Sequence, residues 1–333
     1  MSYCCKNCFQ DKFLEERIIN LSTNVGKCDY CESNNVNVIE PIILQDYFEE
    51  IIDIYETNGN GIMLSEILDL DWKMFNINKY IANSLLSEIL DDKEYLTQKY
   101  INSLEKISSD VWDKFKNELK HKNRYFPNDS EFNKESLKDI FEYFETFEYP
   151  KEVYRARINI NQNSIPKEEM GKPPFKIATQ GRANPIGISY LYIASDEETA
   201  ISEIRPDKGD NVTVAKINLP DNLRFFDIRS AKNTISPFEF SDNVLEELYR
   251  DIDLLERFSE ELSKPVLPRE AHFEYLSSQY LSELVKHNNF DGMLYKSSVG
   301  AGYNMVIFSE LDLNFIQLNK YHINSTTVDF MLI

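Results

Sequence analysis

The stretch ATQGRANPIGISYLYIASDEETAISEIRP, residues 178–206, carries an arginine, a tyrosine and a glutamate that one turn–strand–helix unit would bring together. Gly181 and Arg182 fall in a turn with Asn184, Pro185 and Gly187, where backbone can approach a ligand closely. Tyr192 lies in the apolar run that follows, and Glu203 in the segment after that. Arg155, in YRARINI, adds a second guanidinium. This set suits a dinucleotide with a pyrophosphate and a glycosidic bond to a cationic base. Arginines clamp a pyrophosphate bidentately. An aromatic ring packs against base or ribose, and a carboxylate stabilises the oxocarbenium-like centre that forms as the base leaves. Nicotinamide departs neutral, so such a cleavage requires no general acid. There is no Ser-His-Asp order, no metal triad and no Walker glycine loop. Taken singly, each residue has a plainer use. The arginines can form ordinary ion pairs, Tyr192 can be core, and Glu203 and Arg205 can be helix-end charges. The conjunction in chain order is what points to chemistry.

The elements that must hold these residues follow from periodicity. After Pro150 the pattern alternates, and the runs 154–160, 190–194, 212–217, 224–228, 291–297 and 304–308 read as strands. Helices are expected over about 196–204, 241–262 and 274–287. Ser195-Asp-Glu-Glu198 has the spacing of a capping box, so a helix should begin directly after YLYIA. From 44 to 147 the chain reads helical instead. In LQDYFEEIIDIYE the residues Leu44, Tyr47, Phe48, Ile51, Ile52 and Tyr55 form one apolar stripe. KYIANSLLSEIL, SDVWDKFKNEL and LKDIFEYFETF repeat the pattern, with Ser109 and Asp110 as candidate N-caps. Pro127, Asn128 and Asp129, at the end of KHKNRYFPND, break this region. His121 has no arginine four to seven residues upstream, which argues against a ribonuclease helix pair. His272, His287 and His322 are scattered and are assigned no role.

All five cysteines lie in the first 31 residues. Cys5-Lys-Asn-Cys8 and Cys28-Asp-Tyr-Cys31 form two CxxC pairs with 19 residues between them, the pattern of a zinc ribbon. Two disulfides are the competing reading, and nothing in the sequence suggests an oxidising compartment. Four Cys ligands leave no open position, so the metal would be structural. Cys4 is the spare, able to replace Cys5, and Gly26 is expected to permit the tight second knuckle.

The net charge of −20, from 36 basic and 56 acidic residues, repels polyanions and argues against a nucleic-acid partner. A few local arginines can still bind a small anion, because a distant field is screened over ~10 Å. The acidity fits a basic protein partner, or solubility alone. No apolar stretch of 18 residues and no secretory leader is seen, so no membrane association is expected and a cytoplasmic location is. Composition and texture divide the chain into a zinc ribbon at 1–40, a helical domain at 41–147 and an α+β domain at 148–333.

At these residues the chain resembles a known family. GRANPIGISYLYIASDEETAISEIRP, preceded by YRAR and followed by DGMLYKSSVGAGYNMVIF, is similar to the RES-domain family, named for its Arg, Glu and Ser. CKNCFQDKF…CDYCES and KHKNRYF resemble the zinc-ribbon and HEPN-associated helical extension of a long subgroup. The likeness covers most of the chain. It implies an α+β fold with an ADP-ribosyltransferase-like mixed β-sheet core. The implied activity is NAD phosphorolysis by a toxin, either of a toxin–antitoxin pair or in phage defence. The resemblance assigns catalytic roles to Arg182, Tyr192, Glu203 and Ser297. It assigns NAD contacts to Arg155, Gly181, Asn184, Gln279, Ser298 and Asn304. The family serine corresponds to Ser297 or Ser298, and the spacing to Asn304 favours Ser297. NAD and inorganic phosphate would be substrates, and an antitoxin or immunity protein a partner; a homo-oligomer stays open. The long helical insert between RFFDI and FDGMLY departs from short members. The alternatives are an NAD glycohydrolase, an ADP-ribosyltransferase, or a module that senses a nucleotide without turning it over.

Overall fold

A computed structural model describes residues 2–102, 109–127, 134–160, 163–240, 242–264, 266–267 and 269–326. The chain divides into two compact units, 1–108 with 231–254, and 109–230 with 255–333.

In the first unit, β1 (Cys4–Cys5), β2 (Asn24–Gly26) and β3 (Val36–Ile39) form a sheet in the order β1-β3-β2. Helix α1 (Lys12–Leu21) starts at Asp11, whose side chain accepts from the Leu14 amide and so satisfies an orphan donor of the first turn. Helix α2 (Gln45–Ile52) buries the expected stripe through Phe48, Ile51 and Ile52. The chain then departs from the helical expectation. Residues of β4 (Tyr55–Ile62) pair antiparallel with β5 (Tyr100–Asn102), on either side of α3 (Leu64–Trp72) and α4 (Lys79–Ile89). The reason is local: Asn58-Gly-Asn-Gly61 is poor in helix formers. Any side chain at Gly61 would fall on the Tyr100 carbonyl. A buried network locks the ribbon to α3: Trp72 Nε1 donates to Tyr55 Oη at 2.9 Å, and Tyr55 Oη to Asp71 Oδ2 at 3.1 Å. Phe9, Phe48 and Phe75 share the core of this unit.

The second unit opens with α5 (Ser109–His121) and α6 (Lys134–Phe141). Helix α5 begins at Ser109; the capping side chains proposed at Ser109 and Asp110 lie outside the described residues. The helix stops at His121, before Pro127; Asn128 and Asp129 are likewise not described. Then come β6 (Glu145–Thr146), β7 (Glu152–Ile158), β8 (Leu191–Ala194), α7 (Glu197–Glu203), β9 (Asn211–Asn218) and β10 (Phe225–Asp227). Helix α8 (Ala231–Thr234) belongs to the first unit, and α9 (Asp242–Ser263) carries the chain from first to second. Helices α10 (Ala271–Glu274) and α11 (Leu276–His287) precede β11 (Gly292–Lys296), β12 (Tyr303–Ile307) and β13 (Asn314–His322). The six strands expected after Pro150 are all present. The strands β6 and β13 are additions, the latter pairing with β9 at a sheet edge.

The strands form one eight-stranded mixed sheet in the order β13-β9-β7-β8-β12-β11-β10-β6, parallel only between β10 and β11. One face carries bulky core residues such as Val153, Leu191, Ile193, Leu294, Met305 and Ile307. The other carries the smaller Ala156, Ala194, Val212 and Val214 with Ala200 of α7. Helix α7 is capped by Asp196, one residue later than the capping box predicted; its side chain accepts from the Thr199 amide at 2.8 Å. Ser195 is used elsewhere, its Oγ accepting from the Tyr303 amide at 3.0 Å.

Strands β7 and β8 meet at a single register pair, Tyr154 with Ala194. Beyond that pair they part, while β7 stays fully paired with β9 and β8 with β12. The sheet is thus split at its centre, which is where the site opens.

Candidate active site

A cleft of about 640 Å³ fills the split. Its walls include Arg155 and Arg157 from β7, the Gly181-Arg182 turn, Tyr192 from β8, Glu203 from α7 and Asn304 from β12. Glu203 is the one acidic residue in this lining. Its Oε1 accepts from Ser297 Oγ at 2.7 Å and from Asn304 Nδ2 at 2.6 Å. The Ser297 hydroxyl itself accepts from the amides of Val299 and Gly300, at 3.2 and 3.0 Å. With donors filling its acceptor side, its own proton goes to the carboxylate.

The loop after Ser297 is clamped to α7. Gly302 donates to Thr199 Oγ1 at 3.0 Å. A side chain at Gly302 would strike Asp196 and Ser195, and one at Gly300 would strike Thr199. These two glycines let the loop lie against the helix closely enough for Ser297 to meet Glu203.

Tyr192 supports the turn from below. Its Oη donates to Asn184 Oδ1 at 2.7 Å and accepts from the Ala183 amide at 3.1 Å. Burial pushes the phenol well above its ordinary range, so it stays protonated. Asn184 returns its amide to the carbonyls of Thr179, Pro185 and Ile188. Gln279 of α11 donates to the carbonyls of Gly181 and Asn184, at 2.8 and 3.0 Å. A Cβ on Gly181 would lie 2.5 Å from Asn184 Oδ1 and 2.6 Å from Tyr192 Oη, so only glycine fits there.

Three guanidiniums face the cleft, and none has a carboxylate partner among the described ion pairs. Arg155 Nη1 donates to the Tyr192 carbonyl at 3.4 Å, which the parting of β7 and β8 has left without a ladder partner. Burial first, and the charge of Arg157 second, lower its titration to about 10. Arg157 Nη1 donates to the Glu169 carbonyl at 2.5 Å. Arg182 donates to the Lys264 carbonyl through Nε and Nη2, both at 3.3 Å, with its guanidinium 5.8 Å from the Tyr275 ring centre. Cations held by carbonyl oxygens alone keep their charge for an anion.

Six of the residues singled out in the sequence therefore line one cleft: Arg155, Gly181, Arg182, Tyr192, Glu203 and Asn304. Ser297 stands behind Glu203 and acts on it. Asn184 and Gln279 lie outside the lining and build the turn. Ser298 is exposed and outside the lining. Tyr154, Arg157, Tyr275 and Tyr295 line the cleft and were not singled out. Arg157 was findable, since on a strand residues two apart point the same way. Tyr275 comes from the helical insert, where no local pattern marks it.

In the first unit, the sulfurs of Cys5, Cys8, Cys28 and Cys31 all lie within 4.8 Å of one another and could hold a metal ion. Cys5 and Cys31 are 3.4 Å apart, as are Cys8 and Cys28. Zinc–sulfur bonds of about 2.3 Å would place tetrahedral sulfurs roughly 3.8 Å apart, so the donor set fits. Sharing protons with Cys28 pushes the Cys5 thiol up to about 12 and raises Cys8 as well, while Cys28, the common acceptor, is held down. Cys4 is buried but outside the quartet, as alternation along β1 requires. Gly26 is not the residue that permits the second knuckle. It lies in β2, and a Cβ there would meet Val38 at an ordinary 3.6 Å. The left-handed positions of that loop are Glu32 and Asn35, with φ of 60° and 56°.

Among the described residues, no helix is long and apolar enough to cross a membrane. A family model described as the RES domain matches residues 153–326. Among solved structures, the chain is similar to the crystal structure of the M. tuberculosis MbcT-MbcA toxin-antitoxin complex. The identity is 12%, covering 58% of this chain and 98% of that chain, with a TM-score of 0.33. None of the curated proteins matches the chain.

Proposed function

Since the chain belongs to the RES domain family, we propose that its cleft binds NAD and cleaves the nicotinamide–ribose bond, with inorganic phosphate as acceptor. The observation that carries this reading is Glu203, the one carboxylate of the cleft lining, oriented by Ser297 and Asn304 and sharing the cleft with three arginines that have no acidic partner among the described residues. The arginines take the pyrophosphate. The Tyr192 ring lies against base or ribose. Glu203 stabilises the positive charge that spreads over C1″ and the ring oxygen as nicotinamide leaves. The bond to nicotinamide breaks with its electron pair, and an oxygen of hydrogen phosphate closes on C1″. The products are neutral nicotinamide and ADP-ribose 1″-phosphate, and no proton needs to leave the protein.

The same reading takes the sheet as an ADP-ribosyltransferase-like core within a domain at 148–333, behind a zinc ribbon at 1–40 and a helical region at 41–147. Cys5, Cys8, Cys28 and Cys31 hold one structural zinc. The family resemblance adds a toxin or phage-defence role in the cytoplasm, restrained by an antitoxin or immunity protein.

The test is NAD consumption by purified protein with and without phosphate, the products being identified by mass. Phosphate-stimulated loss with ADP-ribose 1″-phosphate is the expected result. Equal rates and free ADP-ribose in both tubes make it a hydrolase, and labelled protein makes it a transferase. Binding without loss of NAD makes the cleft a sensor.

A further inference from the structure

Tyr295 in β11 stands opposite Asn304 in β12, and the same row continues through Ala194 in β8 to Tyr154 in β7. Directly opposed residues share a face of the sheet, and all four line the cleft. Tyr295 is only 5% exposed, yet its hydroxyl has no hydrogen-bond partner among the described residues. The hydroxyl is not among the buried side-chain atoms left unsatisfied, so it opens on the cleft, where a ligand can reach it. Tyr192 shows the contrast, its hydroxyl being fully used in holding the glycine turn. Burial, together with the nearby Tyr192 and Glu203, keeps the Tyr295 phenol well above its ordinary titration range, so it remains a neutral donor. Next to it, Asn304 binds Glu203 through Oε1, and no donor among the described residues reaches Oε2. The Tyr295 phenol and Glu203 Oε2 thus line one cleft without a partner among the described residues, and the carboxylate lies near enough for its charge to act on the phenol.

Resting on the reading of the cleft as an NAD site, we propose that Tyr295 hydrogen-bonds a hydroxyl of the ribose at the scissile bond. A furanose diol matches this pair of groups. One hydroxyl can donate to the carboxylate while its neighbour accepts from the phenol. Tyr295 is therefore the residue that makes the cleft select a sugar.

ADP-ribose carries that ribose and ADP does not, so calorimetric titration of both separates the two halves of the site without requiring turnover. Tyr295→Phe should weaken ADP-ribose binding about five- to tenfold and leave ADP within about twofold. The variant should also melt at the same or a higher temperature, because the ring stays packed and an unpaired hydroxyl is removed. Unchanged ADP-ribose affinity, an equal loss for ADP, or a clear fall in melting temperature would overturn the assignment of Tyr295. Wild-type protein that binds neither compound would overturn the NAD reading itself, and Tyr295 with it.

Discussion

Ser297 Oγ donates to Glu203 Oε1 at 2.7 Å, joining residues 94 positions apart in the chain. The neighbouring Ser298 is exposed, and the bond to Glu203 comes from Ser297 and not from it. Hydrogen bonds to a charged group contribute about 1.5–3 kcal/mol. Ser297→Ala is expected to lower kcat for NAD loss about 10–100-fold, and Ser298→Ala to leave it within about twofold. Comparable losses in both variants would mean that the loop, and not this hydroxyl, matters.

Glu203→Gln keeps the size and the acceptor oxygen that Ser297 and Asn304 bind, but removes the charge. The expected cost is about 10²–10³ in kcat, with the dissociation constant for ADP-ribose little changed. Turnover at the parental rate would sink the electrostatic role assigned to this carboxylate.

Gly181→Ala tests the turn. The added methyl would meet the Tyr192 hydroxyl and Asn184 Oδ1 at 2.6 and 2.5 Å, breaking the bond between them. The variant should lose thermal stability and bind ADP-ribose more than about tenfold more weakly, because Arg182 is carried by the same turn. An unaltered melting curve and affinity would show that the turn yields freely.

Purified protein should carry about one zinc per chain by elemental analysis. A strong chelator should lower its melting temperature and expose four thiols to a thiol reagent. Cys28→Ser should lose the metal, whereas Cys4→Ser, outside the quartet, should retain it. Metal-free protein with four freely reactive thiols would refute the zinc site.

Asp11 supplies a pH dependence of stability. Burial is the leading cause of its rise from 3.8 to about 6, with the Glu239 charge adding to it and bonds from the Leu14 amide and Ser236 opposing. The folded state therefore holds the proton more tightly than the unfolded chain. Its contribution is fully present below about pH 4 and is lost as pH rises to 6, an effect on the order of 3 kcal/mol. Asp11→Asn keeps an N-cap side chain without the charge. Its stability relative to wild type should improve between pH 4 and pH 7, read from denaturant titrations at each pH. A difference independent of pH would reject the buried-charge account.

Local pattern was enough for the parts of this protein that are local in origin. The two CxxC pairs, the alternation that makes β7, β8, β9, β11 and β12, and the turn–strand–helix unit carrying Arg182, Tyr192 and Glu203 all rest on spacings of a few residues. Helical periodicity was less dependable: it ran across Asn58–Gly61, where glycine and a close approach to Tyr100 make an extended ribbon instead. What tertiary structure alone decided is which groups face the cleft. Asn184 and Gln279 carry the right chemistry but spend it on the glycine turn, while Tyr295 enters the cleft because the β11–β12 register sets it opposite Asn304. The cleft itself exists because β7 and β8 share one register pair and then part. Shifting a strand by one residue reverses the face of every side chain on it. No window of sequence around Tyr295, Ser297 or Glu203 contains that register, which is set by packing among strands far apart in the chain.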